Sequence, residues 1–271
     1  MSIVRYMKWS ECLSHTIWKK VLKGWTDEDK FFWGLAENIT EELKDIRNKE
    51  QDYWYIDVGY LGDQIQRYPE PSIVNPKTTY FRIAKNGIHT NLSNPDNRGS
   101  FYVERIKKFN IEPKPFKENG DYILLCPSSP TVTKFVTGYD YQQWIDEATK
   151  QIKLHTDRPI KLREKPRPNN KFWNTDIKDD LKNAHCLVTS MSLSAVDAIL
   201  EGVPVICHKE NVASYVSSQD IKGIEDPFYP PDTRLYYWLQ QMSNHQFTLE
   251  EIENGFARDY LKGVKWNDIK L

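Results

Sequence analysis

Between Tyr122 and His208 short apolar runs alternate with segments of helical period, and this alternation constrains the fold more than any other feature of the chain. YILLC (Tyr122–Cys126), CLVTS (Cys186–Ser190) and PVICH (Pro204–His208) are brief and bounded by turn residues; PIKLR (Pro159–Arg163) is a weaker run of the same kind. Runs of this length suit strands covered on both faces. Tyr141, Ile145, Ala148 and Ile152 lie four, three and four residues apart, the stripe of an amphipathic helix. SLSAVDAILEG reads as a second helix stopped by Gly202. Strands that alternate with helices pair in parallel through right-handed crossovers, so this region is Rossmann-like.

The earlier part is less regular. FFWGL (Phe31–Leu35) reads as a strand, Ile39, Leu43 and Ile46 as a helix stripe, and WYIDVGYLGD as a strand breaking into a glycine-bearing turn. The stretch Tyr68–Ser100 is rich in Pro, Asn and Gly and reads as a long loop. PKPFKENGD (Pro113–Asp121) is the clearest punctuation. The expected fold is therefore α/β, with two Rossmann-like halves facing a central cleft and the N-terminal half reduced. The expected domains are residues 1–112, a linker over 113–120, and residues 121–271, the last closed by two helices. Thr248 and Glu251 stand in capping-box spacing for the second of these.

Several function classes are disfavoured. Neither G-x-x-x-x-G-K-[ST] nor G-x-G-x-x-G nor G-x-S-x-G occurs, which disfavours a P-loop hydrolase, an NAD-linked oxidoreductase and a serine hydrolase. The four cysteines (Cys12, Cys126, Cys186, Cys207) form no C-x-x-C pair and the six histidines no metal-binding spacing, so no metal site is expected. Lys plus Arg is 37 against 38 for Asp plus Glu, a net charge of −1, which argues against a globally cationic nucleic-acid binder but not a local basic face. No apolar run is long enough to span a membrane and the first residues lack a secretory signal, so a cytoplasmic protein is expected. The nine Trp and fifteen Tyr exceed ordinary use, and bulky core packing is the first explanation for most of them.

The expected strand ends carry the polar residues. Ser128 and Ser129 follow YILLC, Arg163 and Lys165 end PIKLR, and Ser190, Met191, Ser192 and Ser194 follow CLVT and open a helix. Hydroxyls and free amides there suit phosphate oxygens, with Arg163 or Lys165 to neutralise them. Asp197, one turn into that helix, suits ribose hydroxyls. Taken singly, each residue also fits a plainer role as helix cap or solvated edge. At the other half, Asp57 is the first candidate general base, with Asp63 and His89 in reserve, and Arg82, Asn86 and Tyr60 are candidates to meet the acceptor. Asp57 fits equally well as a turn former, and Arg82 as a structural ion pair. Basic stretches at Arg105–Lys108, Lys114–Lys117 and Arg158–Lys171, with Tyr60, Phe81, Tyr102 and Trp173 as stacking rings, suit contact with DNA and an extruded base.

DDLKNAHCLVTSMSLSAVDAILEGVPVI (Asp179–Ile206) resembles the donor-binding domain of GT-B glycosyltransferases. RPIKLREKP resembles the R-x-H-P segment of capsule-type sugar transferases, departing from it at Glu164-Lys165. With FRIAKNGIHTN and NGDYILLC, the pattern over Tyr80–Leu261 resembles small glycosyltransferases encoded by bacteriophages. The resemblance implies a nucleotide-sugar donor, UDP-linked, and transfer to a hydroxyl, with hydroxymethylated pyrimidines of phage DNA as the leading acceptor. A surface or capsular polysaccharide acceptor, or a non-catalytic nucleotide-binding module, is the alternative. Metal dependence, sugar identity, stereochemistry and oligomeric state stay open.

Overall fold

The computed structural model describes residues 25, 30–35, 37–66, 72–92 and 104–263, so Cys12 and Tyr102 lie outside the described residues. The chain divides into two compact units, one made of Met1–Asn110 with Tyr237–Leu271 and the other of Ile111–Tyr236.

The first unit holds a mixed four-stranded sheet in the order β1-β2-β3-β8, with β1 Phe31–Trp33, β2 Trp54–Val58, β3 Phe81–Lys85 and β8 Gln246–Phe247. Helix α1, Glu37–Asn48, joins β1 to β2 in parallel, and its stripe of Ile39, Leu43 and Ile46 is buried as its spacing requires. From β2 onward the pairing is antiparallel, so this half is not a parallel Rossmann sheet. Strand β3 falls inside the stretch read as loop. It forms because the β2–β3 register sets Asp57 opposite Arg82, which lets a charged residue sit in a buried strand. The tryptophans and phenylalanines largely explain themselves here: Trp25, Phe31, Trp33, Trp54, Phe81, Phe247 and Phe256 pack in one core cluster.

The closing segment belongs to this unit, not to a C-terminal domain running to 271. Strand β8 pairs with β3, and the Gln246 side chain accepts hydrogen bonds from the Tyr60 and Leu61 amides at 2.7 and 2.9 Å. The turn at Gly59 depends on its missing side chain, since a Cβ there would stand 2.8 Å from the Tyr80 carbonyl oxygen. Arg105 in α2, Glu104–Lys107, is buried and donates to the carbonyls of Ser243 and Gln246 and to both carboxylate oxygens of Glu251. Glu251 is also half of the expected capping box with Thr248 at the start of a short helix, Leu249–Glu253.

The second unit is a four-stranded parallel sheet in the order β5-β4-β6-β7: β4 Tyr122–Leu125, β5 Ile160–Leu162, β6 Ala184–Val188 and β7 Val205–Ile206. Helices α3 (Pro130–Thr137) and α4 (Tyr141–Lys153) carry the chain from β4 to β5, α5 (Ile177–Leu181) lies between β5 and β6, and α6 (Ser194–Leu200) leads to β7. Ile145 and Ile152 of the α4 stripe are buried against Ile123, Leu125, Cys186 and Val188. The stretch read as a linker is tied down within this unit. Lys114 and Lys117 amides donate to the carbonyls of Leu200 and Gly202 at 2.9 and 2.8 Å. Gly202 adopts a φ of +71°, and a Cβ there would meet the Pro115 carbonyl oxygen at 2.1 Å. Helix α7, Asp232–Asn244, takes the chain from the second unit back to the first. Among the described residues no helix is long and apolar enough to cross a membrane.

Candidate functional site

The order β5-β4-β6-β7 creates a topological switch point. The connection leaving β4 runs to one side of the sheet and that leaving β6 to the other, and open α/β sheets hold ligands outside the carboxyl ends of two such neighbours. The serines predicted from sequence converge there. Ser128 Oγ lies 2.8 Å from Ser190 Oγ and accepts from the Met191 amide at 2.8 Å. Thr189 Oγ1 donates to the Cys126 carbonyl at 2.6 Å and accepts from the Ser192 amide at 3.3 Å. Ser192 Oγ accepts from both the amide and the hydroxyl of Ser194, at 3.2 and 2.9 Å.

Burial divides these residues by role. Ser128, Ser190 and Met191 are buried, and their polar groups are spent on one another. They shape the loops. Ser129 and Ser192 are half-buried, and the Ser129 hydroxyl makes no capping bond to α3. Two residues overlooked in the sequence complete the frame: Thr189, and Asn211, whose amide donates to the carbonyls of Ser190 and Ser192 at 3.0 and 3.3 Å. Asn211 ties the loop after β7 to the loop after β6; an Asn a few residues past a strand end was the available signal.

Asp197 lies in the first turn of α6, the helix that follows the loop after β6. Solvent reaches its carboxylate, which has no hydrogen bond or ion pair among the described residues. Protein packed around it nevertheless pushes the carboxyl up to about 6, with the negative charge of Asp176 adding to the shift and Lys178 opposing it. An accessible acceptor with a destabilised charge is suited to a hydroxyl or cationic partner from outside.

Arg163 is not available to a phosphate. Its guanidinium is buried, bonded to the Asp180 carboxylate and to the Thr175 carbonyl at 2.9 Å, and it lies over the Phe172 ring. Lys165 is exposed at the end of β5.

The residues predicted on the first unit are committed internally. Asp57 accepts from its neighbour's amide (Val58, 2.8 Å), from Tyr55 Oη at 3.2 Å and from Arg82 at 3.1 Å. Arg82, buried, also donates to the carbonyls of Ile88 and Val58. The pair is a cross-strand strap, and neither side chain is placed as a free base or anion receptor. His89 is buried, and burial and the Arg82 charge hold its pKa well below the usual range, so it stays neutral. Asp63 is exposed and accepts from Thr78 Oγ1 at 2.5 Å. Asn86, at a φ of 57°, accepts from the Tyr53 amide and donates to Asp52, the work of a turn residue. Tyr60 is buried, its hydroxyl receiving the Thr90 amide at 2.8 Å. Among the described residues no group of three His, Cys, Asp or Glu side chains is disposed to hold a metal ion.

No protein-family model and no curated protein matches the chain. Among solved structures it is similar to the β-Kdo 2,4 transferase of Thermosulfurimonas dismutans KpsC, at 12% identity over 86% of this chain and 88% of that one, with a TM-score of 0.50. It is also similar to the β-Kdo 2,7 transferase of the same KpsC, at 13% identity over 93% and 90% of the two chains, with a TM-score of 0.45. The first likeness is one of fold. The chain has a GT-B-like α/β architecture of two domains with a sheet in each.

Proposed function

We propose that the protein is a glycosyltransferase whose second unit binds a nucleotide-sugar at the carboxyl ends of β4 and β6. The observation that supports the proposal is the hydrogen bonding that joins Ser128 to Ser190, and Asn211 to the carbonyls of Ser190 and Ser192, at the switch point of a parallel sheet in a fold shared with a sugar transferase, with Asp197 on the following helix unpartnered among the described residues. In this reading Ser128 and Ser190 set the loop shape, Ser129 and Ser192 offer hydroxyls to the diphosphate, and Asp197 accepts from the ribose. The reaction breaks the bond between the anomeric carbon and the donor's sugar-linked phosphate oxygen and forms one to the acceptor oxygen. The acceptor proton passes to a base, and the nucleoside diphosphate or monophosphate leaves with the bonding electrons.

A saccharide is preferred to DNA as the acceptor. The likeness of fold is to a transferase of the sugar Kdo, and two of the rings proposed to hold an extruded base are core residues, Tyr60 at 6% and Phe81 at 0% exposure. Uridine- and cytidine-linked sugars, Kdo included, incubated with the full chain and either oligosaccharides or hydroxymethylated DNA should add sugar mass to a saccharide and leave the DNA unchanged. If no donor is consumed and no nucleotide shifts the melting temperature, the reading fails; mass gained by the DNA alone restores the DNA acceptor.

A further inference from the structure

Among the described residues the arginine side chains are almost all spoken for. Arg82, Arg105, Arg158, Arg163 and Arg258 each pair with a carboxylate, and Arg47 and Arg167 also have partners. Arg234 is different: among the described residues its guanidinium donates to nothing, and its Nε is buried without a partner. Asp226 and Asp232, the acids nearest to it in the chain, make no ion pair with it. A guanidinium carries five N–H donors that lie in one plane, and a buried donor without an acceptor is costly.

Two aromatic rings, by contrast, lie beside it. The Cζ atom lies 4.6 Å from the centroid of the Tyr215 ring and 5.3 Å from that of Phe228, so aromatic surface holds the side chain in place. With two rings and no acceptor beside it among the described residues, the guanidinium keeps its planar fork of donors, which suits two oxygens of one carboxylate or phosphate. The position is tied to the strand-end loops described above. Tyr215 belongs to the 3-10 turn Val212–Val216, which is capped by Asn211, the residue that grips the carbonyls of Ser190 and Ser192. The whole arrangement lies within the second unit.

We propose that Arg234 is an oxyanion-binding residue, taking a carboxylate or phosphate in the plane of its guanidinium on a shelf made by Tyr215 and Phe228. The proposal stands apart from glycosyl transfer; if that reading holds, the oxyanion is either the phosphate of the donor or the carboxylate of an acidic sugar. Calorimetric titration of the full chain with pyrophosphate, uridine diphosphate, glucuronate and uridine, repeated with Arg234→Gln, Arg234→Lys and Tyr215→Leu, tests it. At least one of the three anions should bind, and Arg234→Gln should weaken it by about tenfold or more, the scale of a lost pair of charge-assisted hydrogen bonds. Arg234→Lys keeps the charge without the fork and should recover only part of the affinity, Tyr215→Leu should lose a smaller part, and any binding of uridine should be unchanged. Dependence shown by pyrophosphate and uridine diphosphate identifies a phosphate; dependence shown by glucuronate alone identifies a sugar carboxylate. Absence of binding by all three anions, or equal binding by wild type and Arg234→Gln, overturns the proposal. Arg234-dependent binding of pyrophosphate or glucuronate without any sugar transfer would leave this site standing and remove the transferase reading.

Discussion

Replacing Arg163 by Met separates a ligand-binding arginine from a structural one. The side chain is 5% exposed and its partner Asp180 14%. Met fills similar space along the Phe172 ring but removes the charge, leaving the Thr175 carbonyl without its donor and Asp180 with Lys161 alone, 2.5 Å away and itself 45% exposed. Breaking a buried ion pair from one side costs about 3–5 kcal/mol, and the surviving Lys161 contact places this case near the lower end, about 3 kcal/mol. For a unit of this size that corresponds to a fall in melting temperature on the order of 10 °C. Hydrogen exchange should place the loss in the second unit, at the amides of β4, β5 and β6. Nucleotide affinity, measured well below the melting temperature, should stay within about twofold of wild type, the scatter expected for a residue that does not touch the ligand. The double variant Arg163→Met/Asp180→Leu should regain most of the stability, because it removes both charges together. An Arg163→Met protein that melts like wild type but loses nucleotide binding would refute this reasoning and return Arg163 to the phosphate.

Four further outcomes follow from the same structure. Ser128→Ala leaves the Met191 amide without its acceptor and Ser190 Oγ without its neighbour; urea unfolding should register about 1–3 kcal/mol, and nucleotide KM should rise because the strand-end loops lose their link. Unchanged stability and KM would count against that link. Asp197 holds its proton more tightly when folded, with a value near 6 against an ordinary 3.8, so its contribution to stability is whole below about pH 4 and is lost as the pH rises through 6. Asp197→Asn should therefore be more stable than wild type at pH 7, by about 1 kcal/mol once solvent access is allowed for, and no different at pH 4, while binding nucleotide more weakly; an equal gain at both pH values would disprove the linkage. Asp57→Asn strips buried Arg82 of its carboxylate and should destabilise the first unit by about 3 kcal/mol with turnover per folded molecule preserved, whereas a loss of about a thousandfold in turnover would make Asp57 the base after all. Gln241 and Asn244, fully buried one turn apart on α7, have side-chain amides that meet no partner among the described residues; Gln241→Leu and Asn244→Leu should each raise stability by about 1 kcal/mol in thermal unfolding, and a fall would show that those amides are satisfied in solution.

What the sequence made legible, and what it hid, follows from how each element gains its stability. The central strands of the second unit, β4 and β6, could be found because each lies between neighbours in a parallel sheet; β6 is buried at every position, and its residues are apolar except His185, whose ring bonds the Ile224 carbonyl. The α4 stripe was visible for a similar reason, its buried residues being local in sequence. Strand β3 was hidden because its second residue is arginine, tolerated only through Asp57 opposite it in a register that no local pattern encodes. The two residues of β8 were hidden because they pair with a strand far back in the chain. The same logic governs the site. Serines at strand ends could be located because loops at a switch point need small hydroxyl residues whichever of them meet the ligand. Charges could not be assigned in this way. An arginine at the end of a short strand enters a packed sheet edge, where it persists only if a carboxylate such as Asp180 arrives to meet it. A basic residue in the obvious place is thus the one most at risk of being consumed by the fold. Arg234 stands beyond every strand of the second unit, in the first turn of a helix, with ring faces rather than a carboxylate beside it. It keeps its donors because the fold brings it no acid. For an anion arriving from solution, that unspent charge matters more than proximity to a strand end in the sequence.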